Sequence, residues 1–215
     1  MCSSAALRDY PRGFTSLRVP ALDKHYLTPL FAPQSIAVFA GDPALPADDP
    51  ARTTFARALL ASLAERRFEG TVAMLDVGMT GTLGDLADAQ VDLPIIALPP
   101  QQIAEALEIA GRIRSRAALV LSSGLPPGAC AELHAIARRH GMHLLGPNSL
   151  GFQRPGLKLN ASAAGPMGGP GPLALVSQSG ALTTSILDWA QANGVHFSSV
   201  VSLGPNSMID LPQVL

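Results

Sequence analysis

From residue 35 onward the chain alternates short apolar runs with stretches of helical periodicity, and each apolar run closes near a glycine, proline or serine. Ser35-Ile-Ala-Val-Phe-Ala40, Thr71-Val-Ala-Met-Leu75, Leu93 to Leu98, Ala117 to Ser122 and Met142 to Leu145 are such runs. Runs without polar alternation are what strands need when helices cover both faces of their sheet. Arg52 to Arg67, Gln101 to Ile113 and Ala129 to His140 supply the helices; in the first, Phe55, Leu59, Leu60 and Leu63 share a face and Gly70 lies beyond as a stop. Parallel neighbours need crossovers, so the pattern predicts an α/β fold with a doubly wound parallel sheet.

After Gly146-Pro-Asn-Ser149 the pattern loosens over residues 152 to 164, and Gly165-Pro-Met-Gly-Gly-Pro-Gly-Pro172 reads as a linker. Beyond it lies one more unit: strand Leu173 to Val176, turn Ser177-Gln-Ser-Gly180, helix Ala181 to Asn193, strand Phe197 to Leu203, and the start of a helix at Leu211. A unit this small cannot cover both faces of its own sheet. It is expected either to pack on the first domain or to open a longer one. Residues 1 to 26, which mix Arg8, Arg12 and Arg18 with Asp9, Pro11 and Pro20, read as a flexible arm, with no signal-peptide core.

Composition excludes several functions. Hydrophobic residues make up 47% of the chain and charged ones 14%, which rules out a disordered chain. The net charge is −1 and the basic residues are scattered, so nothing supplies the positive field that nucleic acid demands. No apolar run reaches the length of a membrane span. Cys2 and Cys130 make no disulfide framework and match no metal-ligand spacing, which fits a reducing cytoplasm.

Ligands of open parallel sheets bind outside the carboxyl ends of the strands. The turn after the first strand keeps only Gly41 of a phosphate-binding glycine pattern, and Asp42, Asp48 and Asp49 would repel a phosphate. The next turns are Leu98-Pro99-Pro100 and Ser122-Ser123-Gly124, which also read as plain strand ends and helix starts. At Gly146-Pro147-Asn148-Ser149 a glycine, a rigid proline and a short amide make a tight ligand-facing surface or a self-bonded turn. Ser177-Gln178-Ser179-Gly180, between a strand and a helix, is either an anion site at a helix N-terminus or an ordinary serine cap.

Taken together and in order, Leu30 to Phe39, His143 to Gly151, Leu159-Asn-Ala-Ser162, Ala174 to Ala181 and Ile186 to Ala190 resemble the N-terminal part of NDP-forming acyl-CoA synthetases, relatives of the succinyl-CoA synthetase α subunit. Within that superfamily Gly146 to Gly151 and Ser185 to Gln191 are most similar to bacterial protein lysine acetyltransferases that carry a downstream Gcn5-related domain. The resemblance implies a Rossmann-type CoA-binding domain over residues 27 to 165 and the first part of a flavodoxin-like ligase domain over residues 166 to 215. It implies CoA or acetyl-CoA as ligand along Gly41, Leu98 to Pro100, Ser122 to Gly124 and Gly146 to Ser149. A phosphoryl group would be received at Ser177 to Gly180. ATP or ADP would be used only with downstream ligase or ATP-grasp domains, and a homo-oligomer is left open.

The chain departs from the family in its first loop, where Gly-Ala-Ser becomes Ala40-Gly41-Asp42; at Asp76-Val77-Gly78, where the family has valine-asparagine-proline; and at Gly204-Pro205. The family's phosphorylated histidine has no counterpart here, so no catalytic residue is assigned. His134 and His140 read as a solvated helix face, Cys130 as a buried thiol and Trp189 as core, and no metal site is expected. The alternative reading is a degenerate module that has lost CoA and serves as a structural or subunit-interaction platform.

Overall fold

The computed structural model describes residues 25–78 and 91–214. Of the expected arm only His25 and Tyr26 fall within that range, and the Gly81 and Gly84 segment lies outside it. The chain runs α1 (Thr28–Phe31), β1 (Ser35–Phe39), α2 (Thr54–Glu65), β2 (Thr71–Met74), β3 (Leu93–Ile96), α3 (Pro100–Arg112), β4 (Ala117–Val120), α4 (Ala129–Arg139) and β5 (His143–Leu145). It continues through β6 (Gly151–Arg154), β7 (Leu159–Ser162), β8 (Pro170–Ser177), α5 (Gly180–Ala192), β9 (Phe197–Ser202) and α6 (Leu211–Val214).

The first five strands form one wholly parallel sheet in the order β2-β1-β3-β4-β5. Its two faces are read directly from the two-residue period of β1. Ile36, Val38 and Ala40 join a cluster with Leu59 of α2 and Leu30 of α1, whereas Ala37 and Phe39 join Ile103, Leu107 and Ile136 of α3 and α4. The sheet is thus doubly wound, as the run pattern predicts.

The second sheet, ordered β7-β6-β9-β8, is mixed. β6 pairs antiparallel with both β7 and β9, while β8 and β9 run parallel around α5. Residues 152 to 162, where the sequence pattern loosens, form a hairpin and not irregular chain. Strands on either side of residues 165–169 share this sheet, because β6 bonds to β9 across that stretch. Its inner residues Phe152, Ala161 and Val201 enter the same cluster as β1 and α2; its outer residues Phe197 and Val200 pack under Leu187 and Ala190 of α5. Arg154 adds a bond from Nη1 to the Phe31 carbonyl at 2.7 Å, tying the hairpin to α1.

Three local expectations differ. Trp189 is 59% exposed, along with Leu182 on the same face of α5. Cys130 is only half-buried. His140 is held by Glu108 Oε2 at 2.8 Å, so it links α3 to α4 and is not simply solvated.

Gly151 opens β6 at φ +88°, and a Cβ there would lie 2.1 Å from the Ala161 carbonyl oxygen. Neither backbone can yield without breaking the hairpin. Gly151→Ala is expected to destabilise the protein by about 2–5 kcal/mol through left-handed strain plus overpacking, while Gly156→Ala, which meets nothing within 4 Å, changes stability by less than about 0.5 kcal/mol; urea denaturation distinguishes them.

At the amino end of the sheet, Tyr26 stands between the rings of His25 and His143, at centroid distances of 4.4 and 5.0 Å. Burial, with help from the Arg116 charge, lowers the His143 pKa below that of a free imidazole. A lowered pKa means the folded state binds the proton less readily than the unfolded chain. Stability from this group is therefore present above about pH 6.5 and is lost as pH falls below it. Denaturation midpoints measured from pH 7.5 to 5 should drop less in His143→Gln than in the native protein.

Candidate functional site

The carboxyl ends of the strands form one bonded rim. Ser122 Oγ donates to the Leu98 carbonyl at 2.7 Å, and the Asn148 amide donates to the Ser122 carbonyl at 3.0 Å, so the turns after β3, β4 and β5 are stitched side by side. Thr53 Oγ1 donates to the Ala97 carbonyl at 2.8 Å and also accepts the Ala56 amide as the N-cap of α2, which joins the β1 turn to the β3 end. The structure therefore brings Gly41, Leu98 to Pro100, Ser122 to Gly124 and Gly146 to Ser149 to one edge. Within it Leu98, Ser122, Gly146, Pro147 and Ser149 are buried, whereas Pro99, Gly124 and Asn148 are exposed.

Asn148 holds φ +60°, one of the few left-handed conformations outside glycine, and asparagine tolerates it best among residues with a side chain. Its backbone carbonyl lies so close to Gly204 that a Cβ there would approach it to 2.2 Å. The preceding Gly146–Pro147 bond is cis.

A feature that motif reading alone missed joins the rim to the second sheet. Leu-Gly-Pro-Asn-Ser occurs twice, at residues 145 to 149 and 203 to 207, and the fold sets the two copies side by side. In each copy the serine Oγ accepts the amide two residues on: Gly151 at 2.8 Å for Ser149, Ile209 at 3.1 Å for Ser207. Each serine also donates to a carbonyl two residues ahead of the other copy's glycine, Ser149 to Ser202 and Ser207 to Leu144. Gly146 N closes the contact on Ser207 Oγ at 3.3 Å. This reciprocal clasp holds the ends of β5 and β9 together.

The two arms are unequal. Ser149 is 1% exposed, while the Ser207 bond to Leu144 is long at 3.4 Å and half-buried. Removing Ser149 leaves a buried amide and carbonyl unmet. Ser149→Ala should cost about 2 kcal/mol and Ser207→Ala about 1 kcal/mol; chemical denaturation giving Ser207→Ala the larger loss would contradict the clasp geometry.

The Ser177 to Gly180 turn adjoins the clasp. The Leu203 amide donates to the Ser177 carbonyl at 2.8 Å, and Gly180 packs against Leu150, where a Cβ would approach Leu150 Cδ1 to 2.9 Å. Ser179 Oγ accepts the Leu182 amide at 3.2 Å as the N-cap of α5, and Ser177 Oγ accepts the Ser179 amide at 3.0 Å. Gln178 is exposed at the turn. The capping reading is realised, and the positive end of a 13-residue helix starts beside Leu150.

The β1 turn is built differently. Arg52, 6% exposed, donates from Nε to Pro46 O at 2.8 Å, from Nη1 to Ala40 O, and from Nη2 to Asp42 O and Leu45 O, both at 2.7 Å. Asp42 Oδ1 and Asp49 Oδ1 accept the Ala44 and Ala51 amides, each at 2.8 Å. Among the described residues no group of three His, Cys, Asp or Glu side chains is placed to hold a metal, and no helix is long and apolar enough to cross a membrane.

Residues 170–215 match the family model of the succinyl-CoA ligase-like flavodoxin domain. The chain is 33% identical over 194 residues to the ADP-forming acetate–CoA ligase I of Archaeoglobus fulgidus, an alignment covering 84% of this chain and 27% of the relative. It is 35% identical over 127 residues to the α subunit of the ADP-forming acetate–CoA ligase I of Pyrococcus furiosus, covering 56% of this chain and 28% of that subunit. The dinucleotide-forming acetyl-coenzyme A synthetase 1 of Ca. Korarchaeum cryptofilum, solved with phosphate and ADP, superposes with a TM-score of 0.74 at 26% identity over 87% of this chain and 41% of its own. The chain spans about a quarter of the length of the two curated ligases. Its fold is that of the CoA-ligase Rossmann-like and flavodoxin-like region, and the chain is homologous to the N-terminal region of NDP-forming acyl-CoA synthetases.

Proposed function

We propose that this chain is a CoA or acyl-CoA holding region of a synthetase-like protein, with residues 27 to 165 as the CoA-binding domain and 166 to 215 opening the ligase domain. The observation that carries the reading is the bonded rim, in which turns from β3, β4 and β5 and the N-terminus of α5 lie along one edge. An extended ligand laid across that edge would meet Leu98, Pro99 and Pro100, then Ser122, Ser123 and Gly124, then Gly146 to Ser149, with Gly41 at the near end. The exposed Asn148 amide offers both a donor and an acceptor to an amide-containing chain such as pantetheine. Ser177, Gln178, Ser179 and Gly180 would receive an anionic group at the α5 N-terminus.

The chemistry of thioester formation is assigned to domains outside these residues. Downstream ligase, ATP-grasp or acetyltransferase partners would act on the bound thioester, and only with them would ATP or ADP be used. The motif wording at Gly146 to Gly151 and Ser185 to Gln191 supports the acetyltransferase-fused arrangement. In that arrangement the region holds acyl-CoA and regulates the attached enzyme.

Calorimetric titration with CoA, acetyl-CoA and NAD tests the reading. Saturable heat with CoA or acetyl-CoA and none with NAD is expected. Asn148→Gly keeps the left-handed backbone and removes the amide; it should weaken binding roughly tenfold, the cost of one or two ligand hydrogen bonds. No heat with CoA or acetyl-CoA would return the chain to a structural or subunit-interaction platform.

A further inference from the structure

The first turn of a dinucleotide-type sheet ordinarily gathers backbone N–H groups, which with the positive end of the next helix hold phosphate. Here the polarity is reversed. The carbonyls of Ala40, Asp42, Leu45 and Pro46 converge on the Arg52 guanidinium, an arrangement that receives a cation. The chain supplies that cation itself, and no carboxylate is paired with it by an ion pair among the described residues.

Much of the turn's middle is also closed to an anion. Pro43, Pro46 and Pro50 carry no N–H. Those of Ala44 and Ala51 are taken by Asp42 and Asp49, and those of Leu45, Asp49 and Arg52 by the carbonyls of Asp42, Pro46 and Asp49. Asp42 and Asp48 are exposed on the same turn and Asp49 is half-buried, so three carboxylates face any approaching phosphate.

We propose that the β1–α2 turn is a self-closed, phosphate-excluding segment built around Arg52, and that the chain selects its ligand by the uncharged pantetheine and acyl portion, without recognition of the CoA phosphates at this turn. The proposal rests on the reading that the rim holds CoA. It assigns Arg52 a positioning role and makes Asp42, Asp48 and Asp49 determinants of specificity acting through charge.

The test compares CoA with S-acetylpantetheine by calorimetry at low salt, on the native protein and on the variant Asp42→Asn/Asp48→Asn/Asp49→Asn. Asparagine oxygens at 42 and 49 preserve the bonds to Ala44 and Ala51, so the turn keeps its shape. In the native protein the two ligands are expected to bind within about threefold of each other. Neutralising the turn should tighten CoA about fivefold and leave S-acetylpantetheine unchanged, as removal of three like charges at a solvated surface would. A native preference of tenfold or more for CoA, or a neutralised turn that does not tighten CoA, overturns the proposal while leaving the rim reading intact. Failure of both ligands on both proteins overturns the rim reading and the proposal with it; CoA binding only to the neutralised variant keeps the rim reading but overturns selection by the uncharged portion.

Discussion

Two serine hydroxyls hold the carboxyl ends of two different sheets together, and the candidate site depends on that contact. Ser149 and Ser207 each accept the amide two residues beyond their own copy of Leu-Gly-Pro-Asn-Ser and donate to the strand end of the other. Because the acceptors are backbone carbonyls, the clasp fixes backbone against backbone and leaves little freedom for side chains to adjust. Gly204 is required by that closeness, since a Cβ there would run into the Asn148 carbonyl oxygen at 2.2 Å, and Gly146 is required by the neighbouring β4, where a Cβ would meet the Val120 carbonyl oxygen at 2.1 Å. The clasp places the N-terminus of α5 beside the turns of the parallel sheet, which otherwise belong to separate crossover units.

The rim combines two kinds of surface. From β3 to β5 it is apolar beneath and polar on top: Leu98 and Pro147 are buried, while Gly124 and Asn148 are open to solvent. At the β1 end it is closed over a buried guanidinium held by carbonyls alone. A desolvated charge is tolerated only when its donors are met, and carbonyls meet four of the five guanidinium N–H groups here. Ligand-binding capacity and loop closure are thus separated along one edge.

The parallel sheet was legible because its strands are short, largely apolar runs without polar alternation, and the strands and helices found there lie within a residue or two of the periodic segments. The hairpin β6–β7 was not, because Gln153 and Asn160 sit buried in it and break the apolar pattern. Their polarity is met inside the protein: Gln153 and Asn160 amides both donate to the Gly165 carbonyl, at 3.1 and 3.0 Å. Trp189 misled for the opposite reason, since helical spacing marks a face without saying what lies against it. The strand-end turns could be listed from sequence and family resemblance, and the Leu-Gly-Pro-Asn-Ser repeat stands in the sequence, but the bonding of the turns to one another, the clasp between the two copies and the inverted polarity around Arg52 depend on backbone direction, which residue types do not encode.

The most direct test of the rim as a ligand edge is amide hydrogen exchange with and without CoA. The account predicts added protection in peptides spanning Ser122 to Gly124, Asn148 to Gly151 and Gly180 to Leu182, with the segment from Asp42 to Ala51 unchanged. Protection concentrated between Asp42 and Ala51, or absent from all three strand-end peptides at saturating CoA, would contradict it.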